Sequence, residues 1–159
     1  MSPTTPPPAP ESRPTPPAGL LDNTQIVQGR YIAHAAVGCN NVAEAARWYA
    51  EVLGAQPVRI LDDRVTFSFG GVLQLVCHLE KRTNERNPRA YPQHFGLTFL
   101  KMADFDNLTA HVAKTGVKLL VPPGVRFPNT AHEHQTFMVA DPSGNVVEFK
   151  CYVRPECSY

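Results

Sequence analysis

The 159-residue chain lacks a long apolar run, and none of its hydrophobic stretches approaches the roughly 20 residues that a membrane span needs. It also lacks an excess of either charge, since its 15 lysines and arginines nearly balance its 14 aspartates and glutamates and leave a net charge of +1. This balance gives no electrostatic reason to expect nucleic acid or an anionic membrane as a partner. The N-terminus contains no apolar segment typical of a secretory signal. We therefore predict a cytoplasmic protein that binds neither nucleic acid nor membrane.

Paired cysteines are absent as well. The four cysteines stand at positions 39, 77, 151 and 157 and form neither a CxxC pair nor a zinc-binding spacing. Without a secretory signal, the expected state is reduced thiols in the cytosol, some of them in the core.

Proline is concentrated at one end of the chain. Eight of the first twenty residues are proline, which opposes both helix and sheet. We interpret residues 1–25 as a disordered tail with polyproline character. The remainder, residues 30–153, is long enough for one domain with its own hydrophobic core.

That domain contains an internal repeat, with units over residues 31–79 and 93–152. Each unit begins with a strand and continues into an amphipathic helix, the first over residues 42–54 and the second from Met102 to a closing glycine at 116. Three strand-like runs follow each helix; they are predicted at 56–60, 63–69 and 72–79 in the first unit and at 117–121, 135–140 and 145–152 in the second. Two βαβββ units predict an α+β fold with a curved mixed sheet around a cleft and the helices outside.

Strand alternation places polar residues at matching positions of the two units. His34 shares a strand face with small residues, and so does His94 in the second unit. Gln74 and Glu148 occupy equivalent positions on the polar face of the last strands of their units. Because the bulky apolar face must pack under the helices, these four side chains are predicted to line the cleft.

Two imidazoles and a carboxylate in one cleft suit a divalent cation, with zinc, iron, manganese or nickel preferred over calcium. A metal would also supply the counter-charge that a buried glutamate needs. Each residue taken alone is better explained as a core histidine or a solvated strand end. The duplicated arrangement of all four favours a metal site.

The chain resembles the vicinal oxygen chelate superfamily of glyoxalase I, methylmalonyl-CoA epimerase, extradiol dioxygenases and bleomycin-binding proteins, over about 120 residues. The resemblance rests on the His34 strand followed by ARWYAEVLGA, on QHFGLTF and on the closing DPSGNVVEFKC. Within the superfamily it is most similar to small bacterial proteins described as predicted extradiol-type dioxygenases, whose pattern is echoed by His94–Gly96, Arg126–Phe127, Thr136 and Asp141–Lys150.

The resemblance implies that His34, His94 and Glu148 are metal ligands, and that Gln74 occupies a fourth ligand position. A triad of two histidines and a glutamate on Fe(II) suits an extradiol-type dioxygenase acting on a small-molecule substrate with vicinal oxygens. A metal-dependent isomerase, epimerase or lyase would use Gln74 as well, with Mn, Co, Ni or Zn. A metal-free drug-binding protein is a third alternative, although such binders usually lack these ligands.

Five other residues are predicted to lie at or near the cleft. His78, His134 and Tyr152 are candidate catalytic residues, and Arg126 and His132 are candidate substrate contacts. Arg126 is expected in a long loop, and His132 and His134 on a loop rim ahead of the seventh strand. The charged segment 80–91 is interpreted only as a linker between the units. Relatives of this size are often homodimers, so the resemblance also implies a dimer.

Overall fold

The computed structural model describes residues 32–81, 83 and 87–158. The described residues from Ala33 onward form one compact unit. The predicted proline-rich tail lies outside the described residues. Among the residues described, no helix is long and apolar enough to cross a membrane.

The compact unit contains the two predicted βαβββ units in succession. The elements of the first are β1 (Ala33–Cys39), α1 (Val42–Leu53), β2 (Gln56–Ile60), β3 (Arg64–Phe69) and β4 (Leu73–Leu79). Those of the second are β5 (Phe95–Phe99), α2 (Met102–Thr115), β6 (Leu119–Arg126), β7 (His134–Ala140) and β8 (Val146–Tyr152), followed by a short 3₁₀ helix (Pro155–Cys157).

Each unit forms its own four-stranded mixed sheet, in the order β1-β4-β3-β2 in the first and β5-β8-β7-β6 in the second. The first strand of each unit lies parallel to the last, and the remaining pairs are antiparallel. The predicted α+β class with two βαβββ repeats is thus confirmed. β1 and β5 are edge strands of their sheets, and each carries or follows one of the candidate histidines.

Local signals explain both helices. Asn41 precedes α1 and its side chain accepts a hydrogen bond from the backbone N–H of Glu44, while Gly54 ends the helix in a left-handed conformation with φ 66°. Gly116 ends α2 in the same way. The buried side chains of α2 are Phe105 and Val112, two members of the predicted apolar stripe.

The prediction for the sixth strand was wrong in its bounds. The strand is Leu119–Arg126 rather than 117–121, and it contains Pro122 and Pro123. It is an edge strand with irregular register on either side of Val121, which is where a sheet tolerates residues without an N–H donor. Arg126 consequently ends a strand instead of lying in a loop.

One hydrophobic cluster spans both units, and it includes Tyr49 and Phe67 from the first and Phe105, Phe137 and Phe149 from the second. Trp48 packs against this core and stacks edge-on with Tyr49. Cys39, Cys77 and Cys151 are buried free thiols.

The turn between β7 and β8 joins the units. Asn145 donates its side-chain N–H to the carbonyl of Gly38 at 2.7 Å. Ser143 exchanges hydrogen bonds with Asn40, since its hydroxyl accepts from the Asn40 backbone N–H and donates to the Asn40 side chain, both at 3.0 Å. The DPSGN motif therefore fixes the second unit against the end of β1.

Candidate functional site

The second sheet has one apolar and one polar face. Glu148, Lys150 and Tyr152 alternate along β8 with the buried Val147, Phe149 and Cys151. On β7, His134 pairs with Tyr152 and Thr136 with Lys150, so these side chains share the polar face. On β6, Arg126 pairs with His134 and joins the same face. Strand alternation thus gathers most of the second unit's candidate residues on one surface.

His94 and Glu148 form the centre of this surface. The His94 Nε2 atom lies 3.3 Å from Glu148 Oε2. The other ring nitrogen, Nδ1, lies 3.0 Å from the carbonyl oxygen of Ala90, which can only accept, so Nδ1 carries the proton. The Nε2 lone pair therefore points toward the carboxylate, and an electropositive species, either a proton or a metal cation, belongs between them.

Glu148 is held in place by its neighbours. The residue is 8% exposed, and its Oε1 accepts a hydrogen bond of 2.9 Å from the Thr136 hydroxyl. The Lys150 ammonium lies 3.6 Å from Oε2 and partly balances the buried charge. One carboxylate oxygen is thus oriented by a hydroxyl, while the other faces an imidazole and an ammonium.

Gly96 explains how close β5 comes to β8. It pairs with Glu148, and a Cβ atom added at position 96 would lie 1.7 Å from the Glu148 carbonyl oxygen. Only glycine fits this approach, which brings His94, two residues earlier, within reach of the Glu148 side chain.

The first sheet places the other two candidate ligands together. His34 lies directly opposite Gln74 in the parallel β1–β4 pair. His34 is exposed and Gln74 half-buried. His78 lies on the same face of β4, exposed at the end of the strand, and lines a cavity of about 340 Å³ beside Gly38 and Asn145.

The four predicted ligands therefore form two pairs, one on each sheet. No group of three histidine, cysteine, aspartate or glutamate side chains that could hold a metal occurs within the described part of the chain. The pairs are also not equivalent in register, because His34 lies opposite Gln74 whereas the residue opposite Glu148 is Gly96. The prediction that His34 and His94 occupy equivalent positions in the two units was therefore wrong.

The second pair fits a divalent metal by its donor chemistry. An imidazole with its Nδ1 proton held by a carbonyl presents Nε2 to a metal in the orientation seen at metal centres, and a carboxylate adds a charged oxygen ligand. The Thr136 hydroxyl is the outer partner that such a carboxylate needs. Lys150 competes with a metal at this position, since its ammonium lies 3.6 Å from the same Oε2 atom.

The remaining candidates fall into two groups on the polar face. Arg126 donates to the Tyr91 hydroxyl at 3.0 Å and its guanidinium lies 5.9 Å from the centre of that ring. His134 is buried rather than on a rim, with Nδ1 donating to the His132 carbonyl and the ring 4.8 Å from that of Tyr152. His132 itself is exposed. The Arg126 group reaches the His94–Glu148 pair through Tyr91, whose ring packs edge-on against that of His94 with ring centres 5.6 Å apart.

The segment ahead of β5 does more than join the units. A cavity of about 840 Å³ lies between the edge of β1 and this segment, and its walls include Asn87, Arg89, Tyr91 and His94. Sequence reasoning missed this role because charged, proline-broken stretches are typical of simple linkers. The one available signal was position, since the segment runs directly into a candidate ligand.

Comparisons with known proteins agree with this architecture. The family description "Glyoxalase/Bleomycin resistance protein/Dioxygenase superfamily" matches residues 31–149. A crystal structure of a glyoxalase/bleomycin resistance protein/dioxygenase from Alicyclobacillus acidocaldarius is 37% identical, covers 82% of this chain and 98% of its own, and superposes with a TM-score of 0.77.

More distant similarities support the fold. The virulence protein STM3117 of Salmonella typhimurium is 24% identical over 132 residues, which are 83% of this chain and 90% of that protein. A lactoylglutathione lyase from Agrobacterium tumefaciens is 21% identical, with 76% and 92% of the two chains covered and a TM-score of 0.58.

Proposed function

Because the chain belongs to the glyoxalase/bleomycin resistance protein/dioxygenase superfamily, we propose that it is a divalent-metal-dependent enzyme acting on vicinal oxygens of a small organic substrate. The observation that carries the proposal is the 3.3 Å approach of His94 Nε2 to Glu148 Oε2, with the Nδ1 proton committed to Ala90. Within this class we favour an extradiol-type dioxygenase that uses Fe(II).

The ligand set in this proposal is His34, His94 and Glu148. The bound metal would supply Lewis acidity to two neighbouring substrate oxygens. The Ala90 carbonyl holds the His94 ring in the ligating tautomer, and the Thr136 hydroxyl holds the Glu148 carboxylate at 2.9 Å. Three protein ligands leave room for both substrate oxygens and for O₂, which is the reason for favouring the dioxygenase.

This ligand set is complete only if the His34–Gln74 pair approaches the His94–Glu148 pair. Because the described part of one chain brings no three such side chains together, we propose a homodimer in which one copy contributes His34 and Gln74 to a site and the other copy contributes His94 and Glu148. Both pairs sit on or beside edge strands, and an edge strand can approach another sheet.

A metal-dependent isomerase, epimerase or lyase is the second candidate. The observation that favours it is the register of the first sheet, which sets Gln74 directly beside His34. An amide oxygen there would make a fourth protein ligand and leave two positions for the substrate, with Mn, Co, Ni or Zn as the metal. A metal-free small-molecule binder is favoured by Lys150, whose ammonium already partly balances Glu148.

Metal analysis of anaerobically purified protein separates these candidates. We expect stoichiometric iron and, after addition of NO, an Fe(II)–nitrosyl EPR signal that catechol perturbs. Glu148→Gln should abolish iron binding, and Glu51→Gln, a charge-matched change on the exposed face of α1, should leave it intact. Bound manganese, cobalt, nickel or zinc without oxygen uptake would favour the isomerase or lyase, and protein that takes up no metal would overturn the proposal.

A further inference from the structure

The 840 Å³ cavity beside His94 has an uneven charge distribution. Arg89 is the charged residue among the described residues that line it, and no aspartate or glutamate lies in that lining. Its other polar walls are the neutral side chains of Asn87, Gln93 and Asn145 together with Tyr91 and His94.

Arg89 is available to a ligand. It is exposed, and it forms no hydrogen bond or ion pair with the part of the chain that the structure describes. Arg126, by contrast, is engaged with Tyr91 through a hydrogen bond and a contact with the ring face. Arg126 does not line the cavity, but its charge beside Tyr91 adds to the positive potential there.

Tyr91 forms the part of the cavity wall that lies beside the candidate metal ligand His94. Tyr91 packs edge-on against the His94 ring at 5.6 Å, and its own ring is also contacted by the Arg126 guanidinium. The opposite wall, formed by Ala35, Ala36 and Val37 of β1, is small and apolar. A flat organic ligand therefore finds an aromatic ring, a shallow apolar wall and one cation.

We infer that this cavity binds the carboxylate of a small organic acid, with Arg89 as the anion anchor and Tyr91 as the ring wall beside His94. The inference rests on the proposed function, whose substrate class it narrows to acids that carry vicinal oxygens. One guanidinium matches one carboxylate by a bidentate pair of hydrogen bonds. A phosphate usually draws on several cations or on a helix N-terminus, and neither α1 nor α2 begins at this cavity.

The test uses the metal-free full-length chain and two probes of equal size, 3,4-dihydroxybenzoate and 3,4-dihydroxybenzamide, with binding measured by titration calorimetry or ligand-observed NMR. We expect the wild type to bind the acid about tenfold more tightly than the amide, because a charge-assisted pair is lost with the amide. Arg89→Gln should reduce this ratio to about one, and Arg89→Lys should keep part of it. Arg47→Gln, which removes an exposed charge from α1, should leave the ratio unchanged.

Equal binding of the two probes, or a preference that survives Arg89→Gln, would overturn the inference. Tighter binding of phenyl phosphate than of benzoate would overturn the carboxylate assignment. Repeating the titrations after loading with Zn²⁺ keeps the two proposals distinct. If Arg89 sets the preference without metal but Zn²⁺ adds nothing to the affinity of either probe, the anion site stands and the proposed metal function fails.

Discussion

The hydroxyl of Tyr49 donates a hydrogen bond of 3.0 Å to Oδ2 of Asp141, across 92 positions of sequence and between the two units. Both residues are buried. The same carboxylate accepts from the backbone N–H groups of Ser143 and Asn145 and from the Asn145 side chain, at 2.7 to 2.9 Å. The buried charge is thus satisfied by four donors, and one of them comes from the other unit.

Removing the Tyr49 hydroxyl should therefore weaken the whole domain. We expect Tyr49→Phe to lower the free energy of unfolding by about 1.5 to 3 kcal/mol, because a buried carboxylate loses a donor that water cannot replace. Urea unfolding followed by circular dichroism measures this. Tyr91→Phe is the control, because its hydroxyl accepts only an exposed hydrogen bond from Arg126 that water can replace, and it should change stability by less than about 0.5 kcal/mol. Equal losses in both variants would contradict the assigned role.

Asp141 should also give the domain a pH-dependent stability. Burial is the largest influence on this carboxyl and raises its pKa above the ordinary value. A raised folded-state pKa means that the stabilisation is complete below the unfolded-state pKa and is lost as pH rises through the folded-state pKa. The stability of the wild type relative to Asp141→Asn should accordingly fall as the pH rises above about 3.9, the ordinary pKa of an aspartate. Unfolding curves at several pH values decide this, and a relative stability that rises with pH would refute it.

Much of the fold could be predicted because its signals are local. Asn41, Gly54 and Gly116 mark helix ends, and strand alternation separated the apolar face from the polar one correctly for Glu148 and Tyr152. The sixth strand was misplaced because two prolines argue against a strand, and only its edge position makes them acceptable.

The site was predictable in composition but not in geometry. Alternation fixes which face a side chain takes, yet the distance between strands of different sheets depends on packing that no local pattern encodes. The pairing of His94 with Glu148 depends on Gly96, and the involvement of Arg89 depends on how the preceding segment folds against β1. Neither relationship produces a repeating sequence pattern from which it could be predicted.

Gly96 should be intolerant of any side chain. Alanine there would force β5 away from β8, because its Cβ would overlap the Glu148 carbonyl. We expect Gly96→Ala to cost about 2 to 3 kcal/mol of stability or to prevent folding. Gly124→Ala on β6 meets its nearest atom at 3.9 Å and should cost less than about 1 kcal/mol. Thermal unfolding of both variants makes the comparison, and a fully stable Gly96→Ala protein would show that the two strands do not pack this closely.

Thr136 should act through Glu148 as a positioning residue. Thr136→Val keeps the shape and removes the hydroxyl that orients Oε1, so we expect Zn²⁺ affinity to fall about tenfold. Competition with a chromophoric chelator measures that affinity. Thr109→Val, which removes a hydroxyl bonded to the Phe105 carbonyl on α2, should leave metal affinity unchanged. A similar loss in both variants would indicate a general loss of stability instead of a specific effect on the carboxylate.

The proposed assembly across two copies predicts that two inactive variants restore each other. His34→Ala damages the first-sheet pair and leaves His94 with Glu148, whereas His94→Ala does the reverse. In a mixed dimer with shared sites, one site combines both damaged halves and the other combines both intact halves. Mixing the two variants after reversible denaturation should therefore recover metal binding, up to about one quarter of the wild-type amount when exchange is random and each dimer has two sites.

Each variant refolded alone should bind none. A mixture that also binds none, with dimers confirmed by light scattering, would place the complete ligand set within one chain and refute the shared-site arrangement.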